Sequence, residues 1–188
     1  MDTRFLKLAS VGEFANEARS GKLKVTLQEL VAATYEELRD DVFRYLILIG
    51  VGPDEAQELC QEAFLRLYAA LRKGQQIDNT RAWVFTVARN CGFSARASQA
   101  TLAAFDTAVE EQLCSPSPSP EKVLLDRERM LRLHRAVSSL SHQQRQCLHL
   151  RVEGFRYREI AEILGVGSST VGEFLQRAIT RLRKELYD

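Results

Sequence analysis

Proline and glycine are scarce in this sequence, at 4 and 10 of 188 residues, and three of the four prolines fall in one short stretch. Long tracts are therefore free of helix breakers. No apolar run approaches the roughly 18 residues a membrane span needs, and Met1 to Lys24 has no continuous hydrophobic stretch of the kind a secretory signal carries. The expectation is a protein of the cytoplasm with no membrane insertion. The four cysteines, Cys60, Cys91, Cys114 and Cys147, are far apart, with no CxxC and no Cys/His cluster. A disulfide framework and a zinc site are both disfavoured, and a reducing compartment fits. Cys60, Cys91 and Cys147 sit in apolar helical patterns and read as small core residues. His134, His142 and His149 lack ligand spacing, and no nucleophile motif is present. No cofactor, metal or catalytic residue is expected.

Nor is there an excess of one charge: 26 Lys and Arg stand against 25 Asp and Glu. The distribution is uneven, however. Asp126 to Asp188 carries 12 Lys and Arg against 8 Asp and Glu, a net of +4, and the remainder carries 14 against 17, a net of −3. A basic C-terminal end is compatible with nucleic acid as partner and equally with a solvated charged face.

What is present is helical periodicity in two blocks, which predicts an all-α fold. Residues 34–98 form the first block, residues 99–125 a weakly patterned connector, and residues 126–188 the second. Residues 1–33 form an N-terminal extension, in which Phe5, Leu6, Leu8, Val11, Phe14, Ala15 and Ala18 suggest an amphipathic helix without an assignable role. Within the connector, Ser115 to Pro120 alternates serine and proline, which removes backbone donors and biases the chain to extended geometry. It reads as a semi-stiff linker.

In the first block, Tyr35, Leu38, Val42, Tyr45, Leu46 and Ile49 mark one amphipathic helix that stops at Gly50 and Gly52. Pro53 suits the first position of the next helix, and Asp54 and Glu55 suit its positive end. That helix has a core face of Ala56, Leu59, Cys60, Ala63, Phe64, Leu67 and Leu71. Its other face carries Gln57, Glu58, Gln61, Glu62 and Leu65. Leu65, apolar within an acidic and amide-rich stripe, is either an anchor for a basic protein partner or an ordinary exposed leucine. A third helix, with Thr80 as the expected cap, runs through Asn90. Val84, Val87, Ala88 and Cys91 make its apolar stripe. Trp83, Thr86, Arg89, Asn90 and Phe93 lie largely off it and suit unstacked bases, the rings stacking and the arginine holding phosphate. The competing reading is that Trp83 and Phe85 are core.

In the second block, Leu131, Leu133, Val137 and Leu140 mark one helix. Ser141 with Gln144 is a capping-box pattern opening another that ends near Gly154. A short helix then turns Ile160, Ala161 and Leu164 inward. Gly165 suits the left-handed position after it, Val166 can plug the turn, and Ser168 or Ser169 caps the next helix. That last helix buries Val171, Leu175, Ala178 and Leu182. Its outer face is Ser169, Thr170, Glu173, Gln176, Arg177, Thr180, Arg181 and Lys184. Helix, tight turn and helix with a polar and basic outer face is the arrangement that enters a DNA major groove near Ser168.

Taken together these segments resemble bacterial RNA polymerase sigma factors of the small, two-domain extracytoplasmic-function group. The resemblance covers about residues 34–98 and 126–186. Pro53 to Leu65 is similar to the family's polymerase-binding helix, and Arg81 to Asn90 to its promoter-melting helix. Gln144-Arg145, Glu153-Gly154, Glu159 to Ala161, Thr170-Val171, Arg177-Ala178 and Leu182-Arg183 are similar to its helix-turn-helix. The resemblance implies a transcription initiation factor and not an enzyme. Core RNA polymerase would bind through Gln57, Glu58, Gln61, Glu62 and Leu65. The melted promoter strand would lie on Trp83, Thr86, Arg89, Asn90 and Phe93. Duplex promoter DNA would be read by Ser168, Ser169, Thr170, Glu173, Gln176, Arg177 and Arg181. An anti-sigma factor is a further partner the family often uses. A stand-alone helix-turn-helix regulator acting as a dimer is the alternative that co-purification with core polymerase would separate.

Two departures from the family pattern stand out. After Asn90 the family usually has a basic cluster, whereas Ser94 to Ser98 keeps Arg96 alone. Phosphate contacts drive affinity through counterion release, so this block should grip DNA weakly unless the polymerase supplies charge. Gly172-Glu173 replaces a common Lys-Ser pair. Gly172 weakens the helix by up to about 1 kcal/mol relative to Ala. Glu173 repels phosphates yet can accept from cytosine N4, a contact worth about 1–3 kcal/mol of discrimination. The expectation is that Glu173 reads a base.

Overall fold

The structure, a computed structural model, describes residues 26–102 and 130–187, without the side chains of residues 99–102 and 187. The pattern at residues 5–18, Cys114 and the Ser-Pro tract lie outside the described residues. All seven elements among the described residues are α-helices, and they fall into two compact units.

The first unit holds α1 (Leu27–Leu48), α2 (Pro53–Arg72) and α3 (Thr80–Leu102). α1 starts seven residues ahead of the boundary expected at 34. Thr26 caps it, its hydroxyl accepting from the Glu29 N–H at 3.3 Å, while the Glu29 carboxylate accepts from the Thr26 N–H at 2.8 Å. This reciprocal box satisfies two donors that a helix start leaves open. The same backbone bond, first, and the hydroxyl hold the Glu29 carboxyl below its ordinary range.

Leu38, Val42, Tyr45, Leu46 and Ile49 are buried. The chain then turns through Gly50 at φ 88°, with the Val51 N–H donating to the Leu46 carbonyl at 3.1 Å. That is the left-handed helix end a glycine permits. Gly52 caps α2, and Pro53 opens it as expected. Ala56, Cys60, Ala63, Phe64 and Leu67 pack α2 onto α1, where Tyr35 meets Phe64 edge to face at 5.0 Å. Leu59 and Leu71 are half-buried.

α3 begins differently from the expectation. The Asn79 carboxamide oxygen, not Thr80, accepts from the Ala82 N–H at 3.0 Å, so the cap lies one residue earlier. Asn and Thr are both good caps, and the side chain placed to reach the third amide takes the role. Phe85 is fully buried against Tyr45 at 5.4 Å between centroids. Gly92 brings α3 close to the end of α1. A Cβ there would lie 2.7 Å from Ile49 Cδ1 and 3.2 Å from both Leu46 Cδ2 and Val51 Cγ2.

The second unit holds α4 (130–138), α5 (His142–Val152), α6 (Tyr157–Leu164) and α7 (Ser168–Tyr187). In α4 the expected apolar face is only partly right. Ala136 and, in the turn beyond, Leu140 are buried, but Leu131 and Leu133 are exposed. Leu131 stands five residues before Ala136, about 140° around the helix at 100° per residue, and so faces away from it; Leu133, three residues before, is only about 60° away, and helical spacing does not explain its exposure. The Ser141–Gln144 capping box is present, at 3.3 and 3.0 Å. Just beyond α5 the chain turns at Gly154, φ 91°, where the Phe155 N–H donates to the Leu150 carbonyl and Phe155 is buried. Ile160, Ala161, Ile163 and Leu164 are buried on α6. Gly165, at φ 67° and ψ 37°, closes it, and the Val166 N–H donates to the Ala161 carbonyl at 3.0 Å. The half-buried Val166 sits in this turn. Gly167, not a serine, precedes α7: its carbonyl accepts from Val171 N–H at 3.1 Å, and Ser168 and Ser169 lie in the first helical turn. Val171, Leu175 and Ala178 are buried, and Leu182 is half-buried.

Candidate functional site

Three exposed surfaces answer to the residues singled out in the sequence. The first is the outer face of α7. With Val171, Leu175 and Ala178 turned into the core, helical geometry leaves Ser168, Ser169, Glu173, Gln176, Arg177 and Arg181 exposed and Thr170 half-buried. Thr180 and Lys184 are exposed on the same helix. The small Ala161 and the tight Gly165 turn hold α6 across the inner side of α7. A glycine at 172 is not sterically required: its Cβ would come only within 3.9 Å of Tyr157 Cε2.

One interaction on this face was not foreseen. Arg177 Nη2 donates to Glu173 Oε2 at 3.1 Å, one helical turn away, with both side chains well exposed. Also unforeseen are the exposed Ile179 on α7, and Tyr157 and Val152 beside the turn between α5 and α6. The Arg151 guanidinium lies 5.6 Å from the Tyr157 ring centre and donates to the Phe155 carbonyl at 3.1 Å. Their signal in the sequence is weak, because an exposed aromatic or aliphatic residue looks like a core residue until the fold assigns its direction.

The second surface is on α3. Asn90 is exposed, and Trp83, Thr86, Arg89 and Phe93 are half-buried. The competing core reading holds for Phe85, which is fully buried, while Trp83 is half-buried. Thr86 Oγ1 donates to the Ala82 carbonyl at 2.8 Å, so its methyl and oxygen orientation is fixed by the helix itself. The Arg89 guanidinium stands 4.7 Å from the Phe93 ring centre. The ring therefore already carries a cation on one face, and the two side chains act as one platform with charge above aromatic surface. Arg96, the single basic residue of the next turn, is engaged elsewhere. Its Nη1 donates to the Ile49 carbonyl at 2.6 Å and packs the guanidinium against Gly50. It neutralises the negative end of α1.

The third surface is on α2. Gln57, Glu58 and Gln61 are exposed, Glu62 is half-buried, and Leu65 is 64% exposed. Leu65 thus stands off the core on a polar stripe, as its spacing suggested. Glu62 is held by Arg66, whose Nε donates at 2.7 Å. The Cys91 thiol is pushed up by burial, then pulled down by Arg66 and up by Glu62. Among the described residues no group of His, Cys, Asp or Glu is placed to hold a metal ion. No helix among them is long and apolar enough to cross a membrane.

Comparison with known proteins gives these surfaces a frame. The family model "Sigma-70 region 2" matches residues 34–100, and "Sigma-70, region 4" matches residues 130–182. The ECF RNA polymerase sigma factor SigL of Mycobacterium tuberculosis is 30% identical over 164 residues, covering 85% of this chain and 90% of that protein. The ECF RNA polymerase sigma factor BldN of Streptomyces coelicolor is 29% identical over 159 residues, covering 82% of this chain but only 59% of its own length. In fold, the chain is similar to the sigma factor RpoE of Bartonella quintana, solved in complex with the anti-sigma factor NepR. The TM-score is 0.61 at 22% identity, over 82% of this chain and 95% of that one. Two sigma regions in order, with a relative at this identity over nearly its whole length, place the chain in the ECF family of RNA polymerase sigma factors.

Proposed function

We propose that this chain binds core RNA polymerase and directs it to particular promoters. The observation that carries the reading is the pairing of two units. One matches region 2 and has both an acidic stripe with an outward leucine and a Trp/Arg/Asn/Phe helix face. The other matches region 4 and has a helix-turn-helix whose second helix exposes a polar, basic face. We assign the first to residues 34–98, the second to residues 126–188, and 99–125 to a linker.

In this reading Gln57, Glu58, Gln61, Glu62 and Leu65 dock on the polymerase, Leu65 filling an apolar pocket ringed by basic residues. Trp83, Thr86, Arg89, Asn90 and Phe93 hold the separated strand. Stacking on an aromatic contributes about 1–3 kcal/mol per base without sequence demands, and the Arg89–Phe93 pair adds a positive charge to that stack. Ser168, Ser169, Thr170, Glu173, Gln176, Arg177 and Arg181 face the duplex, where phosphate contacts set register and base edges set sequence. The protein is an initiation factor. Bond making stays with the polymerase, and no cofactor is needed. An anti-sigma factor is a fitting further partner: the similar RpoE is bound by NepR, and a protein covering either unit would block promoter recognition.

The test is run-off transcription with core polymerase on a genomic fragment library. The wild-type chain should start RNA at defined sites. Leu65→Asp should reduce the amount of RNA and the co-purification with core polymerase at least tenfold, without changing thermal stability. A chain that binds operator DNA as a dimer and neither joins polymerase nor starts RNA would refute the proposal.

A further inference from the structure

Glu173 presents a physical puzzle. It is a carboxylate in the middle of a face that would approach a polyanion. Helix stability does not account for it, because an exposed ion pair one turn long contributes little, and Glu173 and Arg177 are 60% and 66% exposed in their side chains. Core packing does not account for it either, since the neighbouring Val171 and Leu175 do that work. What remains is the geometry of the pair itself: a carboxylate and a guanidinium side by side, 3.1 Å apart, on the outer face of α7.

We infer that Glu173 and Arg177 act as one unit that reads a single G·C base pair in the major groove. The inference rests on the reading of α7 as the duplex-contacting helix and deepens it. In the major groove, guanine offers two acceptors, N7 and O6, and cytosine offers one donor, N4. The edge of one G·C pair is therefore acceptor, acceptor, donor. The O6 and N4 atoms are themselves hydrogen-bonded partners, about 2.9 Å apart. Arg177 supplies donors for guanine, and Glu173 supplies an acceptor for cytosine. Their own separation of 3.1 Å matches the spacing of the two base atoms they would meet. The mutual bond consumes one donor and one acceptor. The guanidinium has five N–H groups and the carboxylate about four lone-pair sites, so each keeps enough for its base. A salt-bridged pair also has no net charge. It neither repels the phosphates, as a lone Glu173 would, nor grips them at random, as a lone Arg177 would.

Two signatures follow. Both residues should specify the same base pair, so their losses should not add. In addition, removing both members of the neutral pair, in the double alanine variant, should leave the salt dependence of binding unchanged, whereas losing a phosphate-contacting arginine removes a slope of about −0.9 in log affinity against log salt.

The experiment uses the full chain assembled with core polymerase, on promoters with a fully randomised upstream element. Transcripts from wild type, Glu173→Ala, Arg177→Ala, Arg177→Lys and the double alanine variant are sequenced. The expected result is loss of a G·C preference at one shared position, on the order of 10- to 100-fold in each alanine variant. The double variant should lose no more than either single one. Arg177→Lys should fail to restore the preference, because an ammonium lacks the bidentate fork.

Loss at two different positions would overturn the inference in favour of independent contacts. A uniform drop across all sequences, restored by Lys and accompanied by a fall in salt slope of about 0.9, would overturn it in favour of a phosphate contact. A Gln176→Ala, Arg181→Ala variant distinguishes failure of the inference from failure of its premise. If that variant shifts preference or slope while Glu173 and Arg177 do nothing, only the pair falls. If no substitution on α7 changes either, the duplex-reading role of α7 falls with it.

Discussion

Cys60 and Cys147 are buried, one in each unit, and burial is the main reason their thiols are pushed from an ordinary 9.0 up to about 11. For Cys60, Asp40 adds to the shift and Arg39 opposes it. The Cys60 thiol also lies 3.6 Å from the Arg39 carbonyl, a donation only the protonated form makes. In the unfolded chain both thiols release their protons near pH 9. In the folded chain they keep them to about 11. The unfolded state therefore binds fewer protons between those values, so the contribution of these thiols to stability is whole below pH 9 and is lost as pH rises to 11. The urea midpoint should fall across that window, and the fall should be shallower in a Cys60→Ala, Cys147→Ala variant. Equal slopes in the two proteins would contradict the assignment. At neutral pH the same shift keeps both residues as thiols, so alkylating reagents should label them only on unfolding.

At the scale of the helices, Arg96 decides how the first unit is held. It reaches from α3 to the Ile49 carbonyl, where α1 has ended and its carbonyls need donors. Gly50, at φ 88°, leaves the guanidinium room, since a Cβ there would approach within 3.2 Å of its central carbon. Arg96→Ala should cost about 1 kcal/mol of stability, the net worth of one such bond, measured by urea unfolding. Arg96→Lys should restore part of it. Promoter opening by the folded fraction should be unchanged, because this arginine is spent on the α1 terminus and not on DNA.

This is also where the sequence was only half legible. Periodicity marked which face of α2 is outward, down to Leu65, because a 3.6-residue repeat converts spacing directly into direction. The same logic placed Val171, Leu175 and Ala178 inward on α7. It failed at the ends. The Thr26–Glu29 box and the Asn79 cap were missed because Thr, Asn and Ser are interchangeable as caps until the backbone chooses one. Leu131 and Leu133 read as core from spacing yet stand exposed, because a helix as short as α4 carries too few turns to define a face. The contacts Arg96–Ile49, Glu62–Arg66, Glu173–Arg177 and Arg89–Phe93 were also out of reach. Each depends on side-chain direction, and the first joins residues 47 apart in the chain.

Over the whole molecule, charge and contact type divide the two proposed tasks. The stripe on α2 is acidic and amide-rich around one leucine, which suits a basic protein surface and opposes DNA. The face of α7 carries Arg177, Arg181 and Lys184, with Glu173 neutralising the first. Substitutions on the two units should consequently leave different traces in the same transcription assay. Leu65→Asp should lower RNA from every promoter by the same factor, since polymerase affinity enters each initiation event equally. Arg181→Ala should lower output most at low salt, with the deficit shrinking as salt rises, because losing one phosphate contact reduces the salt slope by about 0.9, while leaving the affinity for core polymerase in the absence of DNA untouched. The two effects should add when combined, because one acts through polymerase affinity and the other through the duplex. The division of labour would be refuted if Leu65→Asp reordered promoter preference at unchanged polymerase affinity, or if Arg181→Ala weakened polymerase binding before any DNA was present.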